Sequence, residues 1–251
     1  MLNSVTMGEG DVPLLIVHGL FGSARNWRVL QKRLAEKRRV VTVDLRNHGE
    51  SFWGDDHSYL ALADDLAEVI EAHGGKADVL GHSMGGKAAM VLALRTPALV
   101  NQLLVADIAP VRYGHTQSGH IKAMQSVDMA AVTRRSEADK QLAEHVADPA
   151  LRAFFLQSVA LGPEGARWQL NLDALAAEMP HIMGFPEQSS TFSGPTLFLS
   201  GENSDYVLPD MHDEIQRIFP NAAFAKIEGA GHWLHAEKPR EFQAEVEAFF
   251  N

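Results

Sequence analysis

The sequence contains no cysteine. That absence excludes disulfide staples, thiolate metal centres and a cysteine nucleophile together. Positive charge is also scarce. Lysine and arginine number 22 against 32 aspartates and glutamates, a formal charge of −10. Nucleic acids and anionic membranes are held through basic patches that displace counterions, so neither is an expected partner. No window approaches the roughly 18 consecutive apolar residues of a membrane span. Residues 1–15 lack a basic segment followed by a long apolar stretch, so no signal peptide is expected and a cytoplasmic location is the default. Repeats and low-complexity segments are missing too.

What remains is an ordinary globular composition, with 46% hydrophobic and 22% charged residues in 251. A chain of this length buries roughly 70–75% of its unfolded surface and needs no staple. Its apolar residues alternate between strand-like and helix-like runs. Leu14–Val17, Arg39–Val43, Ala77–Leu80 and Leu103–Ala106 are short runs suited to buried strands. Between them, residues 26–37, 59–73 and 87–95 carry apolar positions at helical spacing. This βα rhythm predicts a mostly parallel sheet with helices on both faces.

The rhythm stops at Val111 and resumes at Thr196–Ser200. Residues 111–193 hold amphipathic helical runs at 117–127, 137–147 and 170–179, split by Pro149, Pro163 and Pro180, and no convincing strand. After them come a helix at 209–218, a strand at 223–227 and a last helix from Pro239 to Phe250. The expected organisation is a core of residues 1–110 and 194–251 with a helical cap, 111–193, inserted after the sixth strand. Open α/β sheets bind ligands at the C-terminal edge of their strands, where such a cap would shape a pocket and exclude water.

Gly81-His82-Ser83-Met84-Gly85 follows a strand and precedes a helix. A G-x-S-x-G segment in that context makes a turn so sharp that the serine backbone is strained and its hydroxyl stands clear of the sheet. Ser83 is therefore the expected nucleophile. The loop His18-Gly-Leu-Phe-Gly-Ser23 also follows a strand, and its backbone can face the same point. The N–H groups of Leu20 and Met84 are the expected oxyanion hole, with Phe21 as the alternative to Leu20. His232, in the glycine-rich segment Gly229-Ala-Gly-His232 after the last strand, is the expected general base, ahead of His235. His57, His115, His120 and His181 read as surface residues and His82 as structural. Two aspartates at strand ends qualify as the acid that orients the base, Asp107 and Asp205. Asp44, Arg46 and His48 read as a hydrogen-bonded support beneath the site.

These segments, together with Asp44-Leu-Arg-Asn-His-Gly-Glu-Ser51, Asp107-Ile-Ala-Pro110 and Gly231-His-Trp-Leu-His-Ala-Glu-Lys-Pro239, resemble the α/β-hydrolase superfamily over nearly the whole chain. Within it they are most similar to small bacterial esterases of the YbfF type and their mitochondrial relatives. The resemblance implies Asp107 as the acid, whereas the wider superfamily implies Asp205, which stays as the alternative. It further implies a serine carboxylesterase acting on small or medium acyl esters, without metal or organic cofactor. Alternatives are an acyl-CoA thioesterase, another serine acyl hydrolase or acyltransferase, and a non-turnover receptor on the same fold. Arg134-Arg135 is the one weak candidate for holding coenzyme A phosphates. Tyr113, Phe154, Phe155, Trp168 and Phe185 are candidates for either pocket or core. Oligomeric state leaves no trace in the sequence.

Overall fold

Successive residues of Leu14–Val17 point into different cores. Leu14 and Ile16 join one apolar cluster, Leu15 and Val17 the other. The same alternation recurs at Val40 and Val41, at Val79 and Leu80, and at Val105 and Ala106. A strand that is apolar on both faces must be covered on both, which dictates a sheet between two helical layers. The computed structural model, describing all 251 residues, has that architecture.

In chain order the elements are β1 (Ser4–Met7), β2 (Leu14–Val17), α1 (Arg28–Leu34), β3 (Val40–Val43), α2 (Tyr59–Ala72), β4 (Ala77–His82), α3 (Met84–Arg95) and β5 (Val100–Ala106). Then come α4 (Ser118–Gln125), α5 (Arg135–Leu142), α6 (Pro149–Leu156), β6 (Val159–Gly162), β7 (Gly165–Trp168), α7 (Leu172–Ala177) and α8 (Met179–Met183). The chain ends with β8 (Thr196–Gly201), α9 (His212–Ile218), β9 (Ala222–Ile227), α10 (Leu234–Glu237) and α11 (Pro239–Phe250). Seven strands form one sheet in the order β1-β3-β2-β4-β5-β8-β9. Only β1 runs antiparallel to its neighbour. Helices cover both faces. Leu62, Leu66, Val69 and Ile70 of α2 enter one cluster, and Phe242, Val246 and Phe250 of α11 enter the other at four-residue spacing.

Four details differ from the sequence expectation. The edge strand β1 was not anticipated, because half its residues face solvent and no apolar run marks it. The insertion follows the fifth strand of this chain, not the sixth, since a single antiparallel strand precedes β2. The insertion also holds a hairpin, β6 with β7, turning at Pro163-Glu164 with Gly165 at φ 101. Two mostly exposed four-residue strands are too short for a periodic signal. Finally, α3 starts at Met84, three residues before the expected Lys87. Glycines 85 and 86 suggest a turn by propensity. Here they serve close packing instead, since a Cβ on Gly85 would sit 2.3 Å from the His18 carbonyl oxygen.

Candidate active site

At the junction of β4 and α3, Ser83 adopts φ 52 and ψ −124, a region non-glycine residues rarely occupy. Its neighbours leave no alternative. A Cβ on Gly81 would lie 2.4 Å from the Gly85 carbonyl oxygen, and one on Gly19 would lie 3.1 Å from the Ser83 Cβ. Chain reversal is therefore tight, and the β2 loop lies directly against the serine.

Across the sheet edge, the loop after β9 brings in His232. Its Nε2 lies 3.1 Å from Ser83 Oγ, and its Nδ1 lies 2.7 Å from Asp107 Oδ2. A carboxylate only accepts, so Nδ1 carries the proton and Nε2 offers its lone pair to the serine hydroxyl. Asp107, just past the end of β5, is fully buried and has φ 55. Its Oδ1 accepts from the Gly201 N–H at 3.0 Å, and its Oδ2 also accepts from the Ser204 hydroxyl. The other aspartate, Asp205, is exposed and makes no hydrogen bond or ion pair. What the β8 loop contributes at this point is Ser204, not a carboxylate.

The His232 loop is held from both sides. Glu237 accepts from the N–H of Gly231 at 2.7 Å and of Trp233 at 3.2 Å, and His82 Nε2 donates to the His232 carbonyl at 2.9 Å. Tyr206 stacks on the imidazole with centroids 4.1 Å apart. Neither Glu237, Ser204 nor Tyr206 carries a sequence motif of its own. Glu237, in the same segment as His232, was the nearest to a signal. His235 does not approach Ser83. It stacks on Trp27 at 4.3 Å, and burial pushes its pKa down to about 3.

Around the serine, the two expected N–H donors differ from their alternative. Met84 is the first residue of α3, so its N–H has no partner within the helix. Leu20 lines the cavity beside Ser83. The Phe21 N–H, by contrast, donates to His48 Nε2 at 3.2 Å and is engaged. His48 belongs to the support read from the sequence. Asp44 accepts from the N–H groups of Ala24 at 2.7 Å and Glu50 at 3.0 Å and from Asn3 Nδ2 at 2.8 Å, and Arg46 pairs with Asp65. Burial pushes the pKa of His18, His48 and His82 down, so these rings act as neutral hydrogen-bonding groups.

A cavity of about 230 Å³ opens over Ser83 between the strand ends and the inserted segment. Tyr113, Phe154 and Phe155 line it, whereas Trp168 is buried in the insertion and bonds the Met124 carbonyl. Phe185 is not on its wall. Two histidines read as surface residues prove otherwise. His57 is buried against Asn47, and His120 forms part of the cavity wall beside Phe155. Neighbouring elements cover the loop of His57 and the face of α4 that carries His120, which local sequence does not report. Arg135 spends its guanidinium on the carbonyls of Leu156 and Val159, and Arg134 pairs with Glu137. No helix is long and apolar enough to cross a membrane.

Known proteins share both sequence and shape. A model described as "Alpha/beta hydrolase family" matches residues 14–245. The sn-1-specific diacylglycerol lipase of Mus musculus is 43% identical over 96% of this chain and 82% of its own length. Esterase YbfF of Escherichia coli is 36% identical over 97% of this chain and 94% of its own. Among solved structures, a marine microorganism esterase superposes with a TM-score of 0.95 at 37% identity, covering 99% of each chain.

Proposed function

The chain belongs to the alpha/beta hydrolase family, and from that premise we propose that it is a serine carboxylesterase cleaving small or medium acyl esters through an acyl-enzyme on Ser83. Ester hydrolysis is the activity its esterase and lipase relatives are named for. The observation that carries the finer reading is the continuous chain from Ser83 Oγ through His232 to Asp107.

The chemistry follows from that chain. His232 Nε2 takes the Ser83 proton as Oγ attacks the ester carbonyl carbon. The carbonyl oxygen becomes an oxyanion beside the N–H groups of Leu20 and Met84, at the positive end of α3. Asp107 keeps the imidazole in the Nδ1–H tautomer and stabilises the imidazolium. His232 then gives its proton to the departing alkoxide. Water enters, His232 deprotonates it, and attack on the acyl-enzyme releases the acid and restores Ser83. All proton movements use these residues.

Residues 111–193 act as the cap in this reading, since Phe154, Phe155 and His120 from the insertion face Ser83 across the cavity. Its 230 Å³ lies below the roughly 300–1,000 Å³ of drug-sized pockets, which favours short or medium acyl groups. An acyl-CoA thioesterase is less well served. Arg135, the cation offered for phosphates, is committed to backbone carbonyls. Hydrolysis of a p-nitrophenyl ester series from acetate to palmitate, by wild type and Ser83→Ala, tests the proposal. Serine-dependent turnover peaking at short or medium chains supports it. Absence of serine-dependent turnover on every ester would move thioesters, acyl transfer or a receptor role ahead.

A further inference from the structure

One turn beyond Ser83 on α3, a lysine is buried where the mechanism has no use for it. Lys87 is 1% exposed. Its ammonium donates to the carbonyls of Val111 at 2.8 Å, Met183 at 3.2 Å and Gly184 at 2.5 Å. An ammonium has three N–H donors and no acceptor, so all three are used. The aromatic faces of Tyr113 and Tyr59 lie 4.7 Å and 5.8 Å from Nζ. Burying this charge is costly unless such partners are supplied, and here they are. Burial, with Arg112 nearby, still holds the pKa down to about 7.

The position of those three carbonyls gives the arrangement its meaning. Val111 lies where the chain leaves the core for the insertion, and Met183 and Gly184 lie where α8 ends on the way back. The two stems also bond each other, through the Tyr113 N–H to the Met183 carbonyl at 3.0 Å. Tyr59 on α2 adds a hydroxyl bond to the Ile182 carbonyl at 2.6 Å. At its other end, the Lys87 backbone N–H bonds the Ser83 carbonyl at 3.1 Å. One residue thus joins the serine's own turn to both stems of the insertion.

We propose that Lys87 is a positioning residue that fixes the cap against the nucleophile helix and thereby sets which acyl chains the cavity accepts. The selectivity part rests on the esterase reading above. Lys87 lines the cavity over Ser83 and hydrogen-bonds neither His232 nor Asp107, so its influence runs through cavity shape. A cavity wall displaced by one methylene's width changes discrimination between chain lengths by about tenfold or more.

The experiment compares wild type with Lys87→Met, which keeps the stem of the side chain and removes the ammonium. The proposal expects the octanoate-to-acetate ratio of kcat/KM to rise by about tenfold, while the pH midpoint of acetate hydrolysis stays in place. Equal loss at every chain length, or an unchanged ratio, overturns it. Amide exchange of Tyr113 gives a second reading, independent of turnover. Its protection is expected to fall by about tenfold or more from wild type to Lys87→Met while the amides of β4 keep theirs. Unchanged protection at Tyr113, or an equal loss in β4, overturns the anchor. If no ester is turned over in a Ser83-dependent way, the esterase reading fails, and the exchange measurement alone decides the anchor.

Discussion

The hydroxyl of Ser204 donates to Oδ2 of Asp107, the same carboxylate oxygen that receives the Nδ1 proton of His232. Asp107 sits fully buried, and a buried carboxylate is tolerable only when its lone pairs are occupied. The Gly201 N–H occupies the other oxygen. Ser204 therefore orients the carboxylate that holds the His232 ring. A hydrogen bond to a charged group contributes about 1.5–3 kcal/mol. Ser204→Ala is expected to lower kcat/KM for a short ester by roughly tenfold or more, with KM little changed. Steady-state kinetics on p-nitrophenyl butyrate would check this.

The two aspartates are separated by substitution. Asp107→Asn keeps the shape but favours the wrong imidazole tautomer, a change worth about 10⁴ in kcat where such triads operate. Asp205→Asn alters an exposed side chain without a partner, so activity within about twofold of wild type is expected, as for ordinary surface changes. Parallel assays of the two variants decide the assignment, and the reverse order would reassign the acid.

The buried parallel strands and the serine turn were legible in the sequence because both are local. Leu14–Val17 and Pro239–Phe250 fall at the residues their patterns indicate, and Ser83 sits between a strand and a helix as G-x-S-x-G requires. That His232 would come to lie beside Ser83 was legible from its place after the last strand. The choice between Asp107 and Asp205 was not, since both end strands at one edge and only the resemblance favoured Asp107. What separates them is the backbone. Asp107 is turned inward at φ 55, and no residue type announces that. Ser204 and Lys87 act through bonds spanning up to 97 residues. Long-range bonds of this kind leave no periodic mark. The hairpin β6–β7 escaped notice for the opposite reason, being local but too short.

Gly85 packs backbone against backbone, which makes it a test of the elbow. Gly85→Ala would place a methyl 2.3 Å from the His18 carbonyl oxygen and 2.6 Å from that of Val17. Neither is a flexible side-chain end. Overpacking of this kind costs about 1–3 kcal/mol or more, and in a chain of this size each kcal/mol moves Tm by about 2–4 °C. A thermal melt should show a drop of several degrees, accompanied by loss of activity as the β2 loop shifts.

Acid should destabilise the fold through its buried histidines. Burial holds His57 and His235 at a pKa of about 3, and desolvation lowers His18, His48 and His82 as well. Unfolded, each would titrate near the ordinary value of about 6.5. Above that pH both states are neutral and the stability contribution is complete. As pH falls from about 6.5 toward 3, the unfolded chain takes up protons that the folded one refuses. Stability then declines by up to about 1.4 kcal/mol per pH unit for each such group. Urea midpoints measured between pH 7.5 and 4.5 should fall steadily, and His57→Gln should flatten the slope by about one proton's share.

The central claim is that Ser83 carries the acyl group. Reaction with a p-nitrophenyl alkylphosphonate, followed by peptide mass spectrometry, tests it most directly, because the phosphonate stays on the attacking oxygen. The account predicts one adduct per chain, located on Ser83, with loss of ester turnover in proportion and no adduct in Ser83→Ala. Ester turnover that persists while Ser83 remains unlabelled, or an adduct on another residue that abolishes it, would contradict the account.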